Sequence, residues 1–351
     1  VNGETQVSGE TEVDFTNPVT YTVVNNKGAS RDYTVKVTNT GLPVVVINQS
    51  TSGKFDKVYK DIWAQLSGKT PYNQFVDFMI RGKDTEWVED DEITVYNPDG
   101  SVNLETTLCG ARLRGNTTQE YPKKPFAIKL KKKKSVLGMP EHKRWVLLAN
   151  WLDHSMIRNT VAFDIAQVIE HAWRQSDNAI GNGIPWSVHG QNVELVFIEK
   201  GEAHHVGNYY LCEQIKIDGN RLNINDSYED VIENNANPSL ADCGYLLEFD
   251  SKDDNDPYFK TSNGIKVKFK DDAIDGTSLS TQVKSIVQDI EDKLDAGNYS
   301  AAYEKLDINS VIDQWLIWEL TFNREYGDPG SVYMYMNGNG RLCAGPVWDF
   351  D

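Results

Sequence analysis

The sequence predicts an α+β fold preceded by a short all-β segment. Strand-like and helical stretches follow one another without the regular alternation of parallel α/β proteins, which favours the α+β class. The first part of the chain, residues 1–40, carries only strand and turn signals. The chain has 351 residues, 39% of them hydrophobic, which is enough for about two domains with a sizeable core.

Residues 1–40 are predicted to form part of an immunoglobulin-like β-module. Apolar residues alternate with polar ones in 19–23 and 33–37, and the polar turn sequence 25–28 separates the two stretches. A complete sandwich needs about seven strands, so we expect a remnant that is cut on its N-terminal side. The segment resembles the β-repeats that precede other domains in bacterial surface proteins.

The second predicted domain, residues 44–351, mixes strands and helices. Apolar residues at helical spacing predict a helix over 156–171, with Ser155 as its N-cap. The same spacing predicts helices over 281–294 and 308–322. Apolar runs bounded by turn residues predict further strands within 70–110 and a hairpin over 109–130. The other predicted strands are 43–48, 193–199, 208–215, 244–249, 265–269, 331–336 and 341–348.

Charge and composition exclude several classes of function. A formal net charge of −17 repels phosphate backbones, so we expect no nucleic-acid partner. Apolar runs stay well short of the about 18 residues that span a bilayer, so we expect no membrane span. The chain starts at Val1 rather than Met, so we expect a processed form from which any signal peptide is already removed. Because residues 1–40 resemble repeats of bacterial surface proteins, we expect the protein at the cell surface or exterior. The four cysteines lack metal-site spacing and are expected to be buried.

Basic residues cluster at one place in this acidic chain. Phe126, Ile128 and Leu130 are predicted to share one face of a strand, which turns Lys129 to the other face. A strand lysine beside the glycine turn that follows Arg114 would place an ammonium over a nucleotide phosphate. A solvated lysine edge that discourages strand pairing is the alternative, and we favour it for the run 131–134.

Acidic residues mark the other end of the chain. Asp349 and Asp351 stand two apart after an apolar stretch, where hard oxygen ligands suit Mg²⁺ or Mn²⁺ bridging substrate phosphates. Upstream, Glu325 and Asp328 lie where a helix gives way to a loop, and either carboxylate could accept a hydroxyl proton. Kinases need this division between a carboxylate that orients the nucleophile and one that holds metal. A buried Asp capping a turn is the alternative for Asp349.

Together these pieces resemble the spore coat protein H (CotH) family of atypical protein kinases. The combination is specific although no single piece is, and the pieces occur in the family's order over roughly 44–351. Four stretches carry the resemblance: 114–116 with 124–129, 148–159, 207–215, and 333–335 with 345–351.

The resemblance implies a distant kinase-like fold that binds ATP with a divalent metal, Mg²⁺ or Mn²⁺, and phosphorylates Ser or Thr of a protein. It implies that Asp349 binds the metal, and that Glu325 or Asp328 is the catalytic carboxylate. Both acidic residues fit the family's position before the Tyr-x-Tyr strand, so the choice between them stays open.

The resemblance also implies a set of residues around the nucleotide. Lys129 would pair with the ATP phosphates, with Arg114 and Asn116 near the nucleotide. Asp153, Arg158 and Asn159 would be site residues, and the alternative is that they form a capping network at the start of a helix. Glu213 would face the nucleotide cleft, and the alternative is that it pairs with a lysine on a neighbouring strand.

Two departures from the family pattern bear on activity. The chain stops two residues after Asp349, whereas relatives continue, and Met336 stands where many relatives have Lys. We therefore weigh the kinase hypothesis against a catalytically inactive surface, adhesion or assembly protein on a kinase-like fold. A metal-dependent phosphohydrolase is a third class. The sequence leaves the oligomeric state open.

Overall fold

The computed structural model describes most of the chain in eleven stretches. Residues 70–86, which belong to the region of predicted strands, lie outside the described residues, as do the predicted site residues Asn116, Asp328 and Asp351. The described residues are 4–7, 11, 13–37, 40–49, 87–115, 117–121, 123–174, 183–199, 201–252, 256–325 and 329–350.

The N-terminal segment contains the predicted hairpin. Strands β1 (Val19–Val24) and β2 (Ser30–Val35) pair antiparallel. In the turn between them, Gly28 has a φ of 78° and donates its N–H to the carbonyl of Asn25 at 3.0 Å. Gly fits this left-handed position because it has no Cβ. Most side chains of the two strands are exposed, so cross-strand pairs rather than a core stabilise the hairpin.

Seven strands close into a barrel in the order β3-β4-β5-β6-β7-β9-β8. Neighbours pair antiparallel, except that β8 pairs parallel with β3 and thereby closes the ring. The strands are β3 (Val44–Gln49), β4 (Val88–Tyr96), β5 (Val102–Leu113), β6 (Phe126–Val136), β7 (Met139–Leu148), β8 (Gly190–Glu199) and β9 (Glu202–Glu213).

Alternation along the strands fills the barrel interior. Phe126, Ile128 and Leu130 all point inward into one hydrophobic cluster, as the sequence pattern predicts. The intervening residues Ala127 and Lys129 lie on the outer face. This outer face, on β5, β6 and β7, is where the barrel meets the rest of the molecule.

A second sheet has six strands in the order β11-β12-β10-β14-β15-β13. One of its faces packs on the long helix α3 (Ser278–Asp295), through a cluster that includes Leu247 and Val283. The cap of α3 is Thr277, whose hydroxyl accepts the N–H of Ser280 at 3.2 Å. The strands are β10 (Tyr245–Phe249), β11 (Tyr258–Lys260), β12 (Lys266–Phe269), β13 (Leu306–Asp307), β14 (Val332–Met336) and β15 (Leu342–Ala344).

A third hydrophobic cluster joins the barrel to the second sheet. It combines outward residues of β7 and β9 with residues of helices α1 (Arg158–Arg174) and α5 (Ile308–Thr321) and with the end of the chain, including Phe163 and Trp348. These two rings stack at a centroid distance of 5.7 Å. The remaining described α-helices are α2 (Tyr228–Ile232) and α4 (Tyr299–Ala302).

Several local predictions differ from the structure. Helix α1 begins at Arg158, and its N-terminal cap is the carboxylate of Asp153 rather than the hydroxyl of Ser155. The last predicted strand, 341–348, is shorter in the structure, where β15 covers only Leu342–Ala344. All four cysteines are buried, as expected, and the structure shows them free of disulfide bonds. Among the described helices, none has the length and apolar character needed to cross a membrane.

Candidate functional site

A cavity of about 440 Å³ lies between the outer face of the barrel and the second sheet. Its volume falls within the range of small-molecule sites, about 300–1,000 Å³. Barrel strands β5 to β7 form one wall, and β10, β14 and the end of the chain form another. The residues used below are Arg112, Arg114, Lys123, Ala127, Val146, Asn150, Asn159, Lys216, Glu248, Lys252, Asp256, Lys270, Tyr333, Trp348 and Asp349.

The described lining is cationic although the protein is anionic. Six lining residues are Lys or Arg and three are Asp or Glu, whereas the whole chain has a net charge of −17. Clustered like charges repel one another, and an anionic ligand relieves that repulsion. The cavity therefore suits a small polyanion.

Asp349 reaches the cavity from a segment that is fixed on both sides. Its carbonyl accepts the side-chain N–H of Asn323 at 2.7 Å, and the N–H of the next residue, Phe350, donates to Asn159 Oδ1 at 3.0 Å. Asp349 itself has a left-handed φ of 66°. A non-Gly residue rarely adopts this conformation, so the neighbouring hydrogen bonds hold it there.

Asn159 connects this segment to the loop before α1. Its Nδ2 donates to Asn150 Oδ1 at 3.0 Å, and Asn150 in turn donates to the carbonyl of Met156 at 3.3 Å. Asn150 also has a left-handed φ, 46°. Because Asn159 and Asn150 are 2% and 4% exposed, this bridge is a buried network with paired polar groups.

Lys123 is a partly buried lysine of the barrel wall. Its ammonium donates to the carbonyl of Ala149 at 2.7 Å and lies 4.6 Å from the centroid of the Tyr209 ring. Burial lowers the pKa of Lys123 to about 8, and Glu194 opposes that shift only in part. An anionic ligand would favour the charged form of this lysine.

Lys270 is held by carboxylates on the opposite wall. Its ammonium lies 2.7 Å from Glu248 Oε2 and also pairs with Asp256. Burial alone would lower the pKa of Lys270, but Tyr333, Glu248 and Asp256 together raise it above its ordinary value. Lys270 is therefore charged at neutral pH, and two of the three lining carboxylates are already engaged by it.

Arg114 contacts the C-terminal segment that lines the cavity. Its guanidinium lies 5.3 Å from the centroid of the Trp348 ring, next to Asp349 in the chain. A guanidinium over an indole is a favourable cation–π contact. Arg114 and Asp349, which is predicted to bind metal, thus line the same cavity.

The comparison with family models gives two matches. The model described as CotH kinase protein matches residues 111–351, more than half of the chain. The chain belongs to the CotH kinase family. A second model, described as SGBP, N-terminal, matches residues 2–37 and so covers the β1–β2 hairpin. A search of curated proteins finds no match.

The CotH match begins inside β5, yet the barrel begins earlier in the chain. Strands β3 and β4 both precede residue 111, and β3 pairs with β8 to close the ring. The predicted start of the second domain at residue 44 coincides with the start of β3. In this CotH protein, the described strands β3 and β4 and the first part of β5 thus lie before the matched region and still contribute to the barrel.

The structure brings part of the predicted CotH site together. Arg114, Asn159 and Asp349 all line the cavity. Glu325 lies beside the cavity. Its carboxylate packs directly on Gly330, where any Cβ would clash with it. The position of that Cβ is 3.7 Å from the Nζ of Lys252, a lining residue. Glu325 is half-buried and its N–H donates to Asn323 Oδ1 at 2.8 Å, so it shares an anchor with Asp349.

Three predicted nucleotide contacts stand away from the described lining. Lys129 is on the outer face of β6, two residues beyond Ala127, which does line the cavity. Asp153 accepts the N–H groups of Ser155 and Arg158 at 2.9 and 2.8 Å, so it acts as the helix-start capping network that was the alternative.

Glu213 is the third of these residues, and it belongs to a buried ion pair. Its Oε1 lies 2.5 Å from Arg221 Nη1, both side chains are 0% exposed, and its Oε2 accepts the N–H of His189 at 3.0 Å. The expected lysine partner is replaced by an arginine eight residues further along the chain. Full pairing of this carboxylate leaves it no role toward a ligand in the cavity.

Sequence reasoning assigned none of the cavity lysines to the site, although Lys123 belongs to the basic cluster of the sequence. Lys123 directly precedes the motif used for the resemblance, and Lys252 and Lys270 flank β10 and β12. The alternation of Lys266, Lys268 and Lys270 was a usable signal, since it places all three on one face of a strand.

The described residues contain no group of three or more His, Cys, Asp or Glu arranged to hold a metal ion. Mg²⁺ in phosphoryl-transfer sites is commonly held by one or two carboxylates plus substrate phosphates. Asp349, fixed on both sides in a cationic cavity, fits a metal that is shared with a polyphosphate, and Asp351 lies outside the described residues.

Proposed function

We propose that this CotH-family protein is an atypical protein kinase that transfers the γ-phosphate of ATP to a Ser or Thr hydroxyl of a protein. The observation that carries the proposal is the cavity, where an excess of Lys and Arg surrounds Asp349 in an otherwise strongly anionic chain. Polyanion binding and a metal-ligating carboxylate are two of the requirements of in-line phosphoryl transfer.

The residues of the cavity divide between binding and chemistry. Arg114 and Lys123 on the barrel side and Lys252 on the sheet side would contact the phosphates. Asp349, with Asp351, would hold Mg²⁺ or Mn²⁺, which when bound neutralises charge on the phosphates. The hydroxyl of the acceptor would be oriented by Glu325, which shares Asn323 with Asp349, or by Asp328.

Electrostatic positioning would supply most of the rate enhancement. Preorganised charges act strongly in a site from which water is excluded, because they need not reorient during the reaction. The buried Asn159 bridge and the left-handed backbone of Asp349 provide this preorganisation. The cation–π contact of Arg114 with Trp348 restricts the guanidinium in the same way.

A labelling experiment tests the proposal. The protein is incubated with γ-labelled ATP, Mn²⁺ or Mg²⁺ and a serine-rich protein acceptor, beside Asp349→Asn and the control Asp275→Asn, which changes an exposed residue. We expect Asp349→Asn to lose at least about 100-fold in transfer rate and the control to keep it. Equal labelling by all three proteins contradicts the metal assignment.

Two other outcomes identify the rival functions. Retained binding of ATP with the metal, but no labelled acceptor, would indicate a non-catalytic surface or assembly protein. Release of free phosphate without labelled protein would indicate a phosphohydrolase. Nucleotide binding is measured separately by calorimetry so that a loss of binding is not taken for a loss of chemistry.

A further inference from the structure

A basic strip continues from the cavity along the outer face of the barrel. Residues Arg112 on β5, Ala127 on β6 and Val146 on β7 form one cross-strand row, and all three line the cavity. The next row on the same face is Gly110, Lys129 and Arg144. Rows two residues apart along a strand are separated by about 7 Å, so the second row directly adjoins the cavity.

The Trp87 ring lies next to Gly110 of this second row, and two guanidinium groups contact it. The guanidinium carbons of Arg112 and Arg144 are each 4.8 Å from the centroid of the Trp87 ring. Gly110 makes this arrangement possible, because a Cβ there would stand 3.3 Å from Trp87 Cε3 and 2.9 Å from Glu89 Oε2. We call Arg112, Lys129 and Arg144 with Trp87 the basic strip.

Basic groups in and beside the strip lie close enough together to repel one another. Burial lowers the pKa of Arg112, and Arg114 lowers it further. Burial and then Arg112 lower the pKa of Arg144, and burial and then Arg144 lower that of Lys216. Arg112 is therefore destabilised by Arg114, and Arg144 by Arg112. Lys216, which lines the cavity, is destabilised by Arg144. Glu89 offsets part of this repulsion at Arg144.

We propose that the basic strip binds acidic residues of the acceptor protein, so that the kinase prefers a Ser or Thr flanked by Asp or Glu. This inference rests on the proposed function and adds the substrate class. Carboxylates of an extended peptide can pair with Lys129 and Arg144 while its hydroxyl reaches the cavity one row away. The same placement gives Lys129 a role in recognising the acceptor protein.

The charge of the whole chain makes this preference a local effect. A net charge of −17 repels an acidic peptide at long range, whereas the strip attracts it within about one Debye length, 8–10 Å at physiological salt. Binding of an acidic peptide should therefore weaken as salt screens the strip. A nucleic acid also carries negative charge, but its long phosphate backbone would meet the repulsive surface beyond the strip.

The test measures peptide binding without nucleotide, by fluorescence anisotropy of labelled peptides that contain one serine. The flanking residues are acidic, neutral or basic, and an oligonucleotide of matched charge is a fourth probe. We expect the acidic peptide to bind at least about tenfold more tightly than the basic one. Arg144→Gln should weaken acidic binding about two- to fivefold, the scale of one exposed charge pair, and Lys129→Gln should do the same.

Controls separate this inference from the proposed function. Lys284→Ala removes an exposed charge on α3, which packs on the face of the second sheet opposite the cavity, and should leave peptide binding unchanged. Arg144→Gln should keep the affinity for Mg²⁺–ATP and the thermal transition of the parent protein. Equal binding of acidic and basic peptides, tighter binding of the oligonucleotide, or equal losses in Arg144→Gln and Lys284→Ala overturns the inference. Selective binding without phosphoryl transfer instead overturns the proposed function and leaves the strip as an acidic-peptide surface.

Discussion

Replacing Asn159 by Ala should destabilise the protein through the bridge to the Asp349 segment. The substitution removes the acceptor of the Phe350 N–H and the donor to Asn150 Oδ1, and both bonds are 3.0 Å long. Since Asn159 is only 2% exposed, water cannot simply replace the lost partners. Each buried polar group left unpaired costs about 1–3 kcal/mol. With partial relaxation, we expect the free energy of unfolding to fall by about 2–4 kcal/mol.

Urea denaturation followed by tryptophan fluorescence measures this change. Asn159→Asp keeps the acceptor for Phe350 but loses the donor to Asn150, so it should recover part of the loss. Asn235→Ala, which removes an exposed side chain, should change the free energy of unfolding by less than about 0.5 kcal/mol. A loss in Asn159→Ala no larger than in Asn235→Ala would refute the reasoning.

Three further predictions concern other parts of the molecule. Glu213→Gln leaves Arg221 buried without its charge partner, and should lower the free energy of unfolding in urea by about 3–5 kcal/mol. ATP binding near pH 8 should take up protons because the phosphates raise the pKa of Lys123 from about 8, and calorimetry in buffers of different ionisation enthalpy should show this uptake vanish in Lys123→Met. Thr277→Ala removes the cap of α3 and should cost about 1 kcal/mol in thermal unfolding.

Each of these predictions has its own check. Replacing Glu213 and Arg221 together by Met should recover most of the stability, because no charge is then left unpaired. If Lys123→Met takes up as many protons as the parent protein, the depressed pKa belongs to another group. Thr281→Ala, at an exposed position inside α3, should cost less than Thr277→Ala, and the reverse order would argue against the cap.

Patterns that depend on neighbouring residues could be predicted from the sequence. The β1–β2 hairpin follows from alternation around a glycine turn, and the inward face of β6 follows from the spacing of Phe126 to Leu130. In each case the deciding residues lie close together in the chain.

Predictions that depend on distant pairing were less successful. Lys123 precedes β6 and borders the cavity, whereas Lys129 lies within β6 and does not. Only the register of β6 with β5 and β7 decides which of the two lysines borders the cavity. Likewise Glu213 is paired by Arg221, which returns to it through a loop that no periodic pattern marks. Barrel closure by β3 and β8, about 150 residues apart, also leaves no local signal.

The parallel pairing of β3 with β8 has a practical consequence for anyone who expresses this protein. A recombinant fragment trimmed to start at residue 111 would discard β3, β4 and most of β5. The trimmed protein would then present the unpaired backbone of β8 and β6 to solvent, which invites intermolecular strand addition and precipitation. An insoluble product from such a fragment would result from the opened barrel, and it would not be evidence against the chemistry proposed for the cavity.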